Sequence, residues 1–120
     1  MKNYSLRIRP QYLQGVLDGR KTIEVRVAYP HLVKMSAGDT LTFNDQHAYH
    51  VVKVNRYPGF DALLEGEDPV RIAPEISEQQ ALLRVLHEIY PPEKEALGVL
   101  AIHIAPAHGA APLGGSAPCG

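Results

Sequence analysis

The sequence predicts one α+β domain, and three observations predict it. Short stretches alternate apolar with polar residues: Tyr4, Leu6 and Ile8 against Ser5 and Arg7, then Ile23, Val25 and Val27 against Thr22, Glu24 and Arg26. This is the period of a half-buried strand. Two longer stretches, one after Pro10 and one after Ser77, carry apolar residues three and four apart, the period of a helix. A nearly continuous apolar run from Gly98 to Ile104 has the composition of a strand buried on both faces or set in a barrel wall.

The opening strand around Tyr4–Ile8 places Arg7 on its polar face and needs a partner strand. Pro10 opens the first helix, whose apolar positions are Tyr12, Leu13, Val16 and Leu17, and Gly19 supplies a left-handed stop. The next strand, Thr22 to Val27, buries Ile23, Val25 and Val27 and projects Thr22, Glu24 and Arg26 as one polar row. Tyr29-Pro30 ends it, because proline lacks the ladder donor and forces its predecessor into an extended conformation. Ser36-Ala37-Gly38-Asp39 is a turn before Thr40–Phe43, with Leu41 and Phe43 on one side. Asn44-Asp45-Gln46 turns the chain into a hairpin partner over His47–Asn55, with a bulge at Val51-Val52. Phe60–Leu64 forms a short helix, and the acidic Glu65–Pro69 stretch reads as a solvated loop. Ser77 with Gln80 resembles a capping box for a second main helix, whose stripe is Leu82, Leu83, Val85, Leu86 and Ile89, stopped at Pro91-Pro92. The ordered domain spans residues 1–104, and 105–120 is an Ala/Gly/Pro-rich extension without charge, too poor in apolar side chains to fold.

At 120 residues and 45% apolar, the chain supports one core. It has neither an apolar run long enough to span a bilayer nor a hydrophobic leader, so no membrane partner and a cytoplasmic location are expected. The lone Cys119 excludes an internal disulfide and a cysteine zinc site, and the six histidines are scattered, so neither a metal nor another cofactor is expected. Phosphate-loop and serine-hydrolase signatures are missing.

Charge is divided unevenly. Residues 1–30 hold six basic groups (Lys2, Arg7, Arg9, Arg20, Lys21, Arg26) against Asp18 and Glu24, while the remainder is net negative and the whole sums to −1. Positive potential is thus concentrated around the first helix and second strand, where it steers anionic ligands. A pI near 6.6 is too low for a generic nucleic-acid coat protein. Within this basic segment, Gly19-Arg20-Lys21-Thr22-Ile23-Glu24-Val25-Arg26 sets two cations around one carboxylate, an arrangement suited to an anionic or carbonyl-bearing ligand.

Taken in order, Tyr12, Leu13, Gly19, Lys21, Thr22, Glu24, Arg26, Gly38, Asp39, Leu41, Phe43, Asn44, Asp45 and Gly98 to Ile102 resemble the ASCH domain family, above all its small single-domain archaeal members. The match spans roughly residues 4 to 104. The resemblance implies a PUA-like mixed β-barrel with two main helices packed over the barrel openings, a fold associated with RNA binding. It also implies a cleft lined by Gly19, Lys21, Glu24 and Arg26. The expected partner is RNA or a modified nucleoside, with Lys21, Thr22, Glu24, Arg26, Arg7 and Tyr29 as ligand-binding candidates: Arg26 as a two-point clamp, Glu24 as an acceptor, Tyr29 or Tyr90 as a stacking face. One family subgroup resembles amidohydrolases that deacylate N4-acetylcytidine with a lysine, a threonine and a glutamate. Lys21 matches the lysine and Glu75 the glutamate, but Glu24 stands where the threonine would be, and a carboxylate cannot replace a hydroxyl nucleophile. Thr22 could substitute, or Glu24 could act as base for water beside Lys21. The catalytic candidates of a metal-independent amidohydrolase are therefore Lys21, Glu24 and Glu75. A protein-interaction adaptor is the third alternative.

Overall fold

In the computed structural model, which describes residues 1–76 and 78–107, each predicted strand period forms a strand of one sheet. The elements are β1 (Asn3–Leu6), α1 (Pro10–Leu17), β2 (Ile23–Val27), β3 (Thr40–Phe43), β4 (His47–Tyr57), α2 (Phe60–Gly66), α3 (Pro69–Ile72), α4 (Gln79–Ile89), α5 (Pro92–Glu95) and β5 (Val99–Pro106). The sheet order is β1-β3-β4-β5-β2. β1 runs parallel to β3, and the other pairs are antiparallel. This mixed sheet curls into a half-barrel of the PUA-like kind, with β1 and β2 as its two edges.

Alternation along the strands divides the apolar residues between two cores. Inside the curl, Tyr4, Leu6, Leu41, Phe43, Val51, Leu100, Ile102 and Ile104 pack with Val16 of α1 and with Leu32 and Met35. On the other face, Ile23, Val25, Val27, Val99 and Ala101 meet Phe60, Leu63, Leu64, Ile72, Leu82 and Leu86 from α2, α3 and α4. β5 feeds both cores from alternate residues, which is why its sequence is apolar throughout.

The hairpin turns at Asn44 (φ 53°) and Asp45 (φ 61°), both left-handed, the conformation that such tight turns require. The Asn44 side chain also clasps the chain beyond β1: Ile8 N–H donates to Oδ1 at 2.9 Å, and Nδ2 donates to the Ile8 carbonyl at 3.0 Å. The bulge falls between Val51 and Lys53, as expected.

Several details differ from the sequence expectations. Glu24 is buried along with the apolar set of β2, so this strand has no solvated face at that position. Thr22 precedes the strand, where its N–H donates to the Arg71 carbonyl. The acidic stretch is not a simple solvated loop: it ends α2, and Glu67 accepts from Asn55 (2.8 Å) and Tyr57 (2.6 Å) and lies 2.8 Å from His103 Nε2. α4 begins at Gln79, and Ser77 lies outside the described residues. β5 continues to Pro106, past the expected end of the ordered domain, while the extension from residue 108 onward, Cys119 included, lies outside the described residues.

Candidate functional site

The site begins where α1 ends. Gly19 adopts φ +80°, and the N–H groups of Arg20 and Lys21 both donate to the Gly15 carbonyl, at 3.0 and 2.9 Å, closing the helix and swinging Lys21 inward. Gly15 permits this close return, because a Cβ there would stand 3.2 Å from Lys21 Cβ. Lys21 is consequently only 5% exposed. Its ammonium donates to the Ile23 carbonyl (2.7 Å) and the Ile72 carbonyl (2.8 Å) and pairs with Glu24 Oε1 at 3.0 Å, which occupies all three N–H donors.

Glu24 connects this lysine to Arg26. Arg26 Nε donates to Glu24 Oε2 at 2.6 Å, and Arg26 Nη2 donates to the Arg7 carbonyl at 2.6 Å. The second bond joins the β2 edge of the sheet to the segment following β1, across the seam that the half-barrel leaves open. Burial alone would raise the Glu24 pKa, but the charges and hydrogen bonds of Lys21 and Arg26 outweigh it and hold the carboxyl below its ordinary value. The trio is therefore ionised and carries a net positive charge.

A cavity of about 180 Å³ opens at this seam. Lys21, Glu24 and Arg26 form its polar side; Leu82, Val85, Leu86 and Ile89 of α4 form an apolar wall; Arg7, Arg9, Tyr12 and Tyr90 also line it. Its size is close to that of the ~150 Å³ cavity that accepts a benzene ring and below the ~300–1,000 Å³ of drug-sized pockets. One planar ring fits inside. Burial pushes the Tyr90 phenol up, so it stays neutral and can donate a hydrogen bond.

Of the candidates named from sequence, the structure brings Lys21, Glu24, Arg26, Arg7 and Tyr90 together around this cavity. Thr22 is not among its lining residues, and its main chain is bonded to Arg71 and Ile104. Tyr29 packs instead between the two cores, stacked on His31 with ring centroids 5.9 Å apart and Lys94 Nζ 5.8 Å from its ring. Glu75 is exposed and does not line the cavity. Arg9, Tyr12 and the α4 wall were not anticipated; the signal for the wall was an apolar stripe on α4 wider than one core needs, with Ile89 left 40% exposed. Among the described residues, no three His, Cys, Asp or Glu side chains assemble a metal site, and no helix is long and apolar enough to cross a membrane.

The family model of the ASCH domain matches residues 6–108. No curated protein matches the chain. Among solved structures, it is similar to the crystal structure of the hypothetical protein PH0355, with 26% identity and a TM-score of 0.81 over 88% of this chain and 99% of that one. The solution structure of protein PF0455 from Pyrococcus furiosus superposes with a TM-score of 0.73 at 24% identity, over 88% and 98% of the two chains. A mutant of ZmASCH from Zymomonas mobilis shares the fold at 14% identity, with a TM-score of 0.58 over 86% of this chain and 67% of that one.

Proposed function

The chain belongs to the ASCH domain family, and from that premise we propose that it binds RNA, or a modified nucleoside, with one base held in the seam cavity. The observation that carries this reading is a cavity sized for a single planar ring, with ionised Lys21, Glu24 and Arg26 along one side and Arg7 and Arg9 also lining it. The α4 side chains give the ring an apolar surface, and the arginines are placed to meet the phosphates that remain outside. Because all three Lys21 donors are engaged, its role in this reading is to hold Glu24 and the cavity in shape, while Arg26 presents its remaining donors to the ligand.

Fluorescence anisotropy with a labelled single-stranded RNA over a range of salt concentrations tests this reading. Arg7→Ala and Arg26→Ala should each weaken binding and lower the salt slope by about 1 for a lost phosphate contact. Unchanged affinity and slope in both variants would remove the seam from the binding surface.

One observation favours a hydrolytic second reading: a carboxylate held ionised 3.0 Å from an ammonium inside a cavity of base size. In that reading Glu24 takes a proton from the water that attacks the acyl carbon of an N4-acylated cytidine and returns it to N4 as the acyl C–N bond breaks, releasing cytidine and the carboxylic acid. Chromatography for released cytidine, comparing the native chain with Glu24→Gln, decides it: carboxylate-dependent release supports hydrolysis, and no release leaves binding alone.

A further inference from the structure

Charge is distributed one-sidedly around the seam cavity. Four cations line it, Arg7, Arg9, Lys21 and Arg26, against the single carboxylate of Glu24, and all five come from the first 26 residues of the chain. The apolar wall is α4, whose own titratable residues Arg84, His87 and Glu88 do not line the cavity. Lys21 and Arg26 are partly balanced by Glu24, so the surplus is carried to the rim by Arg7 and Arg9. These two act on one place. Ile8 between them packs on the core inside the curl, whereas Arg7 and Arg9 are exposed. Arg9 has an extended backbone, so side chains two residues apart leave the chain on the same side, with α-carbons roughly 7 Å from each other. Arg7 has one loose counter-charge, the exposed Asp45 at 3.8 Å, a pair that an anion displaces at little cost. Arg9 has no ion pair among the described residues.

We propose that the seam takes the end of a nucleotide chain, or a single nucleotide, with one planar ring in the cavity and one terminal phosphate on Arg7 and Arg9. This deepens the base-binding reading above and rests on it. An internal nucleotide carries a phosphodiester on each side of its sugar. With all cations on one side, the second diester would leave over the α4 wall, where no lining residue carries a charge to meet it and apolar side chains desolvate it. A terminal nucleotide has only one such group to place. That group is a phosphomonoester, with a charge of about −1.5 to −2 at pH 7, whereas a diester carries one negative charge. A lining with a surplus of three positive charges favours the more highly charged form. Its three terminal oxygens also suit two forked donors, each guanidinium engaging a pair of oxygens. A free mononucleotide and the phosphorylated end of an RNA strand present this same chemistry.

Calorimetric titration of the full chain at fixed ionic strength tests this, using the four common ribonucleosides, their 5′- and 3′-monophosphates, inorganic phosphate, and a short oligoribonucleotide with and without a terminal phosphate. The best monophosphate should bind at least about tenfold more tightly than its nucleoside, which is what one charge-assisted hydrogen bond supplies. Arg9→Ala, a change at an exposed side chain, should remove most of that advantage. A phosphorylated oligonucleotide that binds as tightly as the monophosphate identifies an RNA end as the ligand, and one that binds weakly identifies the free nucleotide; both outcomes support the inference. Nucleosides that match their monophosphates, or an oligonucleotide without a terminal phosphate that matches the best of them, would overturn it while leaving base binding in place. If no nucleoside or nucleotide binds, or inorganic phosphate alone binds as tightly as the best nucleotide, the base-binding reading fails, and this inference with it.

Discussion

Replacing Lys21 by methionine keeps the length and apolar stem of the side chain and deletes only the ammonium. Three acceptors then lose their donor: Glu24 Oε1 and the carbonyls of Ile23 and Ile72. Lys21 and Glu24 side chains are 5% and 7% exposed, so the pair is buried, and removing one partner of such a pair typically costs about 3–5 kcal/mol. The stranded carbonyls add to this at the low end of their usual ~1–3 kcal/mol each, because the adjoining cavity admits water. A loss of about 5–7 kcal/mol is expected, a large share of the ~5–15 kcal/mol that stabilises an ordinary domain. Urea unfolding followed by circular dichroism should show the midpoint falling by about 2 M or more at an unchanged slope of ~1–3 kcal/mol per M. Lys21→Met/Glu24→Gln should be no less stable than Lys21→Met alone, since most of the cost lies in a buried carboxylate that keeps only Arg26 as a charge partner. The pH profile carries the same signature. In the native chain Glu24 titrates below its unfolded value, so its contribution is full above pH ~4.3 and is lost as pH falls through the folded pKa; without Lys21 this acid limb should shrink. A single variant within 1 kcal/mol of native, or strictly additive losses in the double variant, would refute the picture of a buried lysine anchored at three points.

Asn44→Ala should cost about 1–3 kcal/mol in calorimetric unfolding, because it removes both bonds to the Ile8 backbone and places a β-carbon without side-chain compensation at φ 53°. Asn44→Gly should recover the conformational part only, and in both variants the amides of residues 7–9 should exchange faster. At the alkaline end, the hydrogen bond that Tyr57 donates to Glu67, reinforced by burial, pushes the phenol up to about 12. A raised folded pKa leaves stability intact below the unfolded value of ~10 and erodes it as pH rises toward 12. Absorbance titration should therefore show a late-ionising tyrosine that disappears in Tyr57→Phe.

Strand periods were the most legible part of the chain: Leu41 and Phe43, and the doubly buried Val99–Ile104, occupy the positions their alternation assigns. Periodicity fixes which face a side chain takes but not whether a second layer covers that face. That is why Glu24 reads as one of a solvated row and yet is buried. The Lys21–Glu24–Arg26 grouping was visible because it is local. The rest of the cavity, Tyr90 apart, was not, because Arg9, Tyr12, Ile72 and Leu86 reach it from separate segments that only the curl of the sheet assembles. Glu67 was misjudged for a related reason: an acidic run looks solvated until strands distant in sequence supply Asn55, Tyr57 and His103 around it.

The strand order has a kinetic corollary. β2 forms early in the chain yet joins the sheet only through β5, the last strand, with Glu24 paired to Ile102 and Arg26 to Leu100. The hairpin of β3 and β4 and its parallel neighbour β1 can assemble first, from contacts closer along the chain. The strand that carries the seam's charges must wait for a closure spanning most of the domain, and such long-range pairing is the slow step in folding. During synthesis, then, the basic segment leaves the ribosome long before its carboxylate and lysine can be buried. The β2 edge is the final part of the molecule to become native, and it should be the first to open when the last strand is weakened.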